Sequence, residues 1–139
     1  MALCQSTVGS TLNASFIRWR DHFDKSPLLT SAKSDSFSVN GITVAATSNP
    51  DVLSFSVATE LPIWLENLPT SLKLAADIQQ DHPGIKVLFE DDQANDGLFI
   101  RFVHELFVTG LEDINVLFNA IEQALRGALA DFCEQHANL

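Results

Sequence analysis

Phe37-Ser38-Val39-Asn40-Gly41-Ile42-Thr43-Val44 is the stretch that decides the fold class. Two short runs alternate apolar and polar residues on either side of Asn-Gly, the pair best suited to the positive backbone angles of a type I′ turn. The stretch is therefore read as a β-hairpin, and the sheet it belongs to as antiparallel. Downstream, Asn49-Pro50-Asp51 marks a second turn, and Leu53, Phe55 and Val57 alternate with Ser54, Ser56 and Ala58. That pattern is a third strand with one buried face and one face of small, polar side chains.

Working outward from these strands, residues 1–10 carry little pattern and are read as a loose end. Leu12, Phe16, Trp19 (or Ile17) and Phe23 recur at helical spacing, with Arg18, Arg20, Asp21 and Asp24 on the other face. Ser10 or Thr11 is the cap of this amphipathic helix, and Pro27 follows its end. Ser31–Ser36 reads as a polar connector. Beyond the third strand, Leu61-Pro62 closes the run, and residues 62–68 are either a short helix or an ordered apolar loop. Pro69 belongs in a first helical turn. Leu72, Ala75, Ala76 and Ile78 then line one face of a helix that His82-Pro83-Gly84 stops.

Ile85, Val87 and Phe89 alternate with Lys86 and Glu90 as a fourth strand, and Asp91–Gly97 forms an acidic hairpin loop. In the fifth strand Leu98, Ile100, Phe102, Leu106 and Val108 share one side, interrupted by His104. Phe99, Arg101, Val103, Glu105 and Phe107 share the other. That second face is too apolar for open solvent, which implies a cover: a second subunit, a helix or a client. Thr109-Gly110-Leu111-Glu112 matches a capping box, and Ile114, Leu117, Phe118, Ile121, Leu125, Ala128, Leu129 and Phe132 follow helical spacing for about six turns. Gly127, unfavourable inside this helix, is expected to mark a close packing contact. The expected architecture is α+β: a single domain over residues 1–139, with helices packed on one antiparallel sheet of about five strands in the order α-βββ-α-ββ-α.

Composition narrows the function. The 139 residues are 46% hydrophobic and include ten Phe and two Trp, so there is ample apolar surface for a core. Eighteen acidic residues against eight basic ones give a net charge of −10. A nucleic-acid binder needs a basic footprint, and docking on an anionic membrane needs the same, so both are excluded as expectations. No apolar window reaches the length of a membrane span, and no signal-peptide pattern opens the chain. With only Cys4 and Cys133 in the sequence, the expected location is the cytoplasm.

No phosphate-binding glycine loop, paired Cys motif, His-Glu-x-x-His or nucleophile elbow occurs, so no enzyme activity, metal or cofactor is expected. The acidic loop fails the spacing of a calcium loop: counting from Asp92, the third position is Ala94 and the twelfth is Val103. His104 and Glu105 point to opposite faces of a strand, which makes His104 a hydrogen-bonded, partly buried residue on the core side. His22 lies on a helix surface, His82 in a loop, and His136 in a last helical turn, where a cation complements the helix dipole. Cys133 reads as a small semi-buried hydrophobe. Trp19 and Trp64 read as core or interface anchors.

The order of elements resembles the class I chaperones of bacterial type III secretion. Residues 37–44 are similar to that family's first hairpin, Leu53–Pro62 to its third strand running into a Leu-Pro pair, and Gly97–Glu134 to its closing strand and final helix. The likeness spans residues 12–134, and segment 62–69, with its second proline, departs from the family's uninterrupted central helix. It implies a homodimer that binds the N-terminal region of a secreted effector in extended form. The implied effector-binding residues are Phe16, Ile17, Trp19, Phe23, Phe37 and Phe55, each also an ordinary core position. The implied dimer surface is Trp64, Leu65, Leu72 and Phe107. The YbjN-like group of sensory or regulatory proteins has a similar element order and is the alternative. An acidic immunity or inhibitor protein masking a basic toxin is a third reading.

Overall fold

The computed structural model describes residues 14–59, 63–64, 68–92 and 97–137. The Asn-Gly hairpin forms as β2 (Ser36–Val39) and β3 (Ile42–Ala46), with Phe37 opposite Val44 and Val39 opposite Ile42. Asn40 has φ 52° and Gly41 φ 83°, the two positive angles the turn requires. An L side chain at position 41 is strained there, so Gly41→Ala is expected to lower stability by about 1–2 kcal/mol. The check is a urea titration followed by circular dichroism, and an unchanged midpoint would contradict this turn geometry.

The remaining elements are a helix over 14–23 (α1), β1 (Leu29–Ala32), β4 (Val52–Ala58), β5 (Ile63–Trp64), α2 (Leu68–Asp81), β6 (Lys86–Asp92), β7 (Gly97–Phe107) and α3 (Ile114–Ala137). The architecture is α+β. The described residues form seven strands in the order β1-β2-β3-β4-β7-β5, with β6 also on β7, two more than the periodicity suggests. β1 falls partly in the presumed polar connector. It pairs with β2 through its backbone and leaves three of its four side chains exposed, so it carries no apolar alternation. β5 is two residues long, Ile63 opposite Leu98 and Trp64 opposite Gly97, in place of the short helix or loop expected there.

The contacts group into two compact units, through both of which β4, β7 and α3 pass. The first comprises the chain up to Phe55 together with Glu105–Asn119. Here Phe16, Trp19 and Phe23, at helical spacing on α1, are buried with Phe37, Val39, Ile42, Val44 and Phe55 of the strands. Phe16 and Phe37 lie 5.5 Å apart, Trp19 meets Phe55 edge-on at 5.2 Å, and Phe23 lies 4.9 Å from Phe118. Tilted and edge-to-face contacts suit the ring quadrupoles and contribute about 0.5–1.5 kcal/mol each beyond burial. A polar clamp holds α1 to the approach of α3: Arg18 donates to the Glu112 carboxylate and, at 2.9 Å, to the Glu112 carbonyl, while His22 pairs with Asn115 at 2.8 Å.

The capping-box residues have a different role from the expected one. Glu112 does accept the Thr109 N–H at 2.8 Å, as in a capping box, but also the Gly110 N–H at 3.1 Å, and both residues precede the helix. α3 starts at Ile114, with Asp113 as its cap receiving the Val116 N–H at 3.3 Å.

The second unit comprises Ser56–His104 and Ala120–Leu139. α2 opens with Pro69 in its first turn, as expected, but buries Ser71, Leu74, Ala75 and Ile78, leaving Leu72 and Ala76 exposed. The hairpin of β6 and β7 is in regular register from Lys86↔Val103 to Asp92↔Gly97. Its core side chains include Ile100 and Phe102, the latter 5.8 Å from Phe132 of α3. His82 pairs with Asp131 at 3.0 Å, and Gln135 donates to the same carboxylate at 2.8 Å. The Gln135 bond first and the His82 bond second hold the Asp131 carboxyl below its ordinary value. No close contact surrounds Gly127: an added Cβ would meet nothing within 4 Å, so the glycine is an exposed break in propensity and not a packing device.

Candidate protein-binding surface

Strand parity separates two faces in the first unit. Leu53 and Phe55 point into the core beneath α1, while Val52 and Ser54 belong to the opposite face, as do Glu105 and Phe107 of β7. Ser36, Ser38, Thr43, Ala45 and Ser54 make that opposite face small and half-buried. At its end Phe107 stands 73% exposed beside a shallow pocket of about 310 Å³ lined by Thr47, Ser48, Asn49, Val52, Glu105 and Phe107. An aromatic ring presented beside a recess is the type of anchor that carries binding energy in protein interfaces.

The rim of the pocket is tied together by local hydrogen bonds. The Thr47 hydroxyl lies 2.9 Å from both the Asn49 and Val52 carbonyls, and accepts the Asn49 N–H at 3.2 Å. Asn49 in turn accepts the Asp51 N–H at 2.9 Å through its side chain, an Asx turn. The Asp51 carbonyl receives the Val108 N–H at 2.8 Å, which ties the turn to the residue that follows Phe107. The Asn49-Pro50-Asp51 signal in the sequence thus marks the wall of a pocket as well as a turn.

The residues implied for effector binding mostly lie elsewhere. Phe16, Trp19, Phe23, Phe37 and Phe55 are core residues, 0–7% exposed, and do not line an open groove; their rings pack on one another as soon as α1 lies on the strands. Ile17 is at the surface, 38% exposed. Of the implied dimer residues, Leu72 is 49% exposed and Phe107 more so. Leu65 lies outside the described residues, and Trp64 belongs to β5.

His22, His82 and His104 are each held by a hydrogen bond, whereas the buried Nε2 of His136 has no partner among the described residues. His104 donates from Nδ1 to the Gly84 carbonyl at 3.0 Å; Gly84 has φ +87°, a conformation that strains any L side chain, and a Cβ there would press on the His104 ring at 3.3 Å. His136 stacks on Phe132 at 5.7 Å. Cys133 is exposed, and Cys4 lies outside the described residues. Among the described residues no group of three His, Cys, Asp or Glu side chains could hold a metal ion. No described helix is long and apolar enough to cross a membrane.

The fold is similar to that of YbjN from E. coli, described as a candidate transcription regulator. The likeness has a TM-score of 0.58 at 12% identity and covers 90% of this chain and 91% of that one. No family model matches the chain, and no curated protein matches it in sequence. At that identity the likeness concerns fold alone. It supports the YbjN-like half of the sequence resemblance and gives no support to the type III secretion chaperone half.

Proposed function

We infer that the chain is a non-enzymatic regulatory protein of YbjN-like fold that acts by holding a protein partner. The observation that carries this reading is Phe107, a solvent-presented ring beside a pocket whose rim is tied by hydrogen bonds. A net charge of −10 argues for regulation through protein contact and against direct contact with DNA. The same charge speeds encounter with a basic partner.

The experiment is photo-crosslinking at the pocket rim in the native cells, comparing the wild-type chain with Phe107→Glu. Because Phe107 is mostly solvated, the variant is expected to unfold within about 0.5 kcal/mol of wild type, while cross-linking to the wild-type partner falls at least tenfold. Retention of the same partner at wild-type yield, or saturable binding of duplex DNA by the wild-type chain at physiological salt, overturns the reading. The partner's identity separates the finer alternatives. A component of the transcription machinery fits the YbjN-like reading, a secreted effector fits the type III secretion chaperone, and a basic toxin fits the immunity protein.

A further inference from the structure

The second unit carries a different surface: the outer edge of β6. Hydrogen bonds at two independent places, Val87 on β6 and Ile100 on β7, fix which of its backbone groups point outward. The Val87 N–H donates to the Gln79 side-chain carbonyl at 3.0 Å, and so points away from β7. Ile100, which stands opposite Phe89, accepts the Thr59 N–H at 2.9 Å and donates its own N–H to the Thr59 hydroxyl at 3.1 Å, on the side of β7 away from β6. In an antiparallel ladder a residue whose polar groups face one neighbour cannot bond the other. Val87, Phe89 and Asp91 therefore direct their N–H and C=O groups to the free edge, and among the described residues no strand pairs there.

The two edges of the sheet differ in how they are protected. β1 is four residues long, its register slips between Leu29 and Ser31, and the Thr30 hydroxyl donates back to the Ser38 carbonyl. Short, irregular strands are poor templates for further pairing. β6 is seven residues long and regular throughout. Among the described residues its backbone is protected by Gln79, which plugs the first outward N–H, and its side chains by the charges of Lys86, Glu90 and Asp91.

The flank beside this edge is apolar. Leu72 and Ala76 precede Gln79 by seven and three residues on α2, which puts all three on one side of the helix. Gln79 reaches the β6 edge, so Leu72 and Ala76 continue the same side along α2, and both are exposed. On the other face of the sheet Leu88 is 47% exposed, beside Glu90. An added strand would thus meet apolar groups on both of its faces. The charge of β6, one Lys against Glu90, Asp91 and Asp92, is negative, as is that of the whole chain. A second copy of this chain brings the same negative charge, whereas a basic segment complements it.

We propose that the β6 edge and the Leu72–Ala76 flank of α2 take an extended, basic segment of a partner protein as an added strand, with Gln79 as the plug it displaces. The segment alternates apolar residues, facing α2, with Lys or Arg. This rests on the protein-binding role inferred above and adds a second surface to it.

The probe is a synthetic heptapeptide of alternating lysine and valine, with acetylated and amidated ends, titrated into the full chain. Hydrogen exchange is followed amide by amide. Saturable binding is expected, with exchange at Phe89 and Asp91 slowed at least tenfold. A glutamate–valine peptide and a lysine–valine peptide N-methylated on its pairing amides are each expected to bind at least tenfold more weakly. Gln79→Ala should tighten binding several-fold by clearing the Val87 N–H. Asp91→Pro should abolish it, because proline removes an outward donor and no bond to β7; the N-methylated peptide makes the same test without altering the chain.

Absence of saturable binding at millimolar peptide overturns the proposal, and so does protection at Leu29–Ala32 in place of β6. Phe89 and Asp91 already protected in the free chain, with a dimer in sedimentation equilibrium, would show that the occupant is a second copy and also overturns it. A native partner lost from Phe107→Glu but kept by Asp91→Pro would overturn this inference and leave the proposed function standing. If Phe107→Glu retains the partner while the peptide still protects β6, the proposed function fails and the edge site survives.

Discussion

Trp19→Ala is expected to destabilise the chain by about 3–5 kcal/mol, the usual range for deleting a large buried aromatic. Trp19 is fully buried, meets Phe55 edge-on, and sits between Phe16 and Phe23 on the face of α1 that supplies the first unit's aromatic core. Truncation removes its transfer free energy and leaves a cavity walled by aromatic rings, which cannot collapse without leaving their own contacts. A domain of this size has only about 5–15 kcal/mol in total, so the unfolding midpoint in urea should fall steeply. Two comparisons sharpen the result. Trp19→Phe retains a ring and deletes an indole N–H that is buried without a hydrogen-bond partner, so its loss should be about 1–2 kcal/mol. Ile17→Ala, on the exposed side of the same helix, should change stability by about 0.5 kcal/mol. The series distinguishes the two readings of α1. If its aromatic residues formed a recognition groove held open for a client, Trp19→Ala would weaken client binding and leave the midpoint where it is.

The ambiguity over α1 is intrinsic to a sequence. Phe16, Trp19 and Phe23 share one helical face whether that face meets the strands of the same chain or a client, because periodicity reports that a face is apolar and not what covers it. The β2–β3 hairpin was legible because all its determinants lie within eight residues: the Asn-Gly turn and the alternation around it. β1 was not, because an edge strand bound through its backbone needs no apolar side chains. On α2 the buried face was misplaced by one step, since Ala75 and Ile78 fit either choice and only packing selects Leu74 over Leu72. Phe107 was legible as part of a β7 face too apolar for open solvent, but the pocket beside it depends on hydrogen bonds within the Thr47–Asp51 turn. The outward parity of β6 was the least accessible feature. It follows from where Gln79 and Thr59 place their hydrogen bonds, and neither residue carries a recognisable motif.

The second large effect concerns Glu112, which binds α1 to the approach of α3. Burial disfavours its charge. The N–H groups of Gly110 and Thr109 and the Arg18 guanidinium together outweigh that penalty, and the carboxyl titrates below its ordinary value of 4.5. Glu112→Ala leaves two backbone donors and a guanidinium without their acceptor, for an expected loss of about 2–3 kcal/mol at neutral pH. Glu112→Gln keeps the shape, loses the charge, and should lie between wild type and the alanine variant. The pH dependence identifies the cause. With the folded pKa below the unfolded one, the folded state binds fewer protons in the interval between them, so the charge's contribution is complete above the unfolded value and disappears as pH falls through the folded one. The stability difference between wild type and Glu112→Gln should therefore be constant from pH 6 to 8 and shrink progressively below about 4.5. Taking that difference at each pH cancels the general relief of self-repulsion as a −10 chain is protonated. Added salt should reduce only part of it: Arg18 is partly solvated and screened, whereas the two backbone bonds are short-range and persist. A difference independent of pH down to 3 would mean that Glu112 acts by packing alone and that its charge has no part in holding α1 in place.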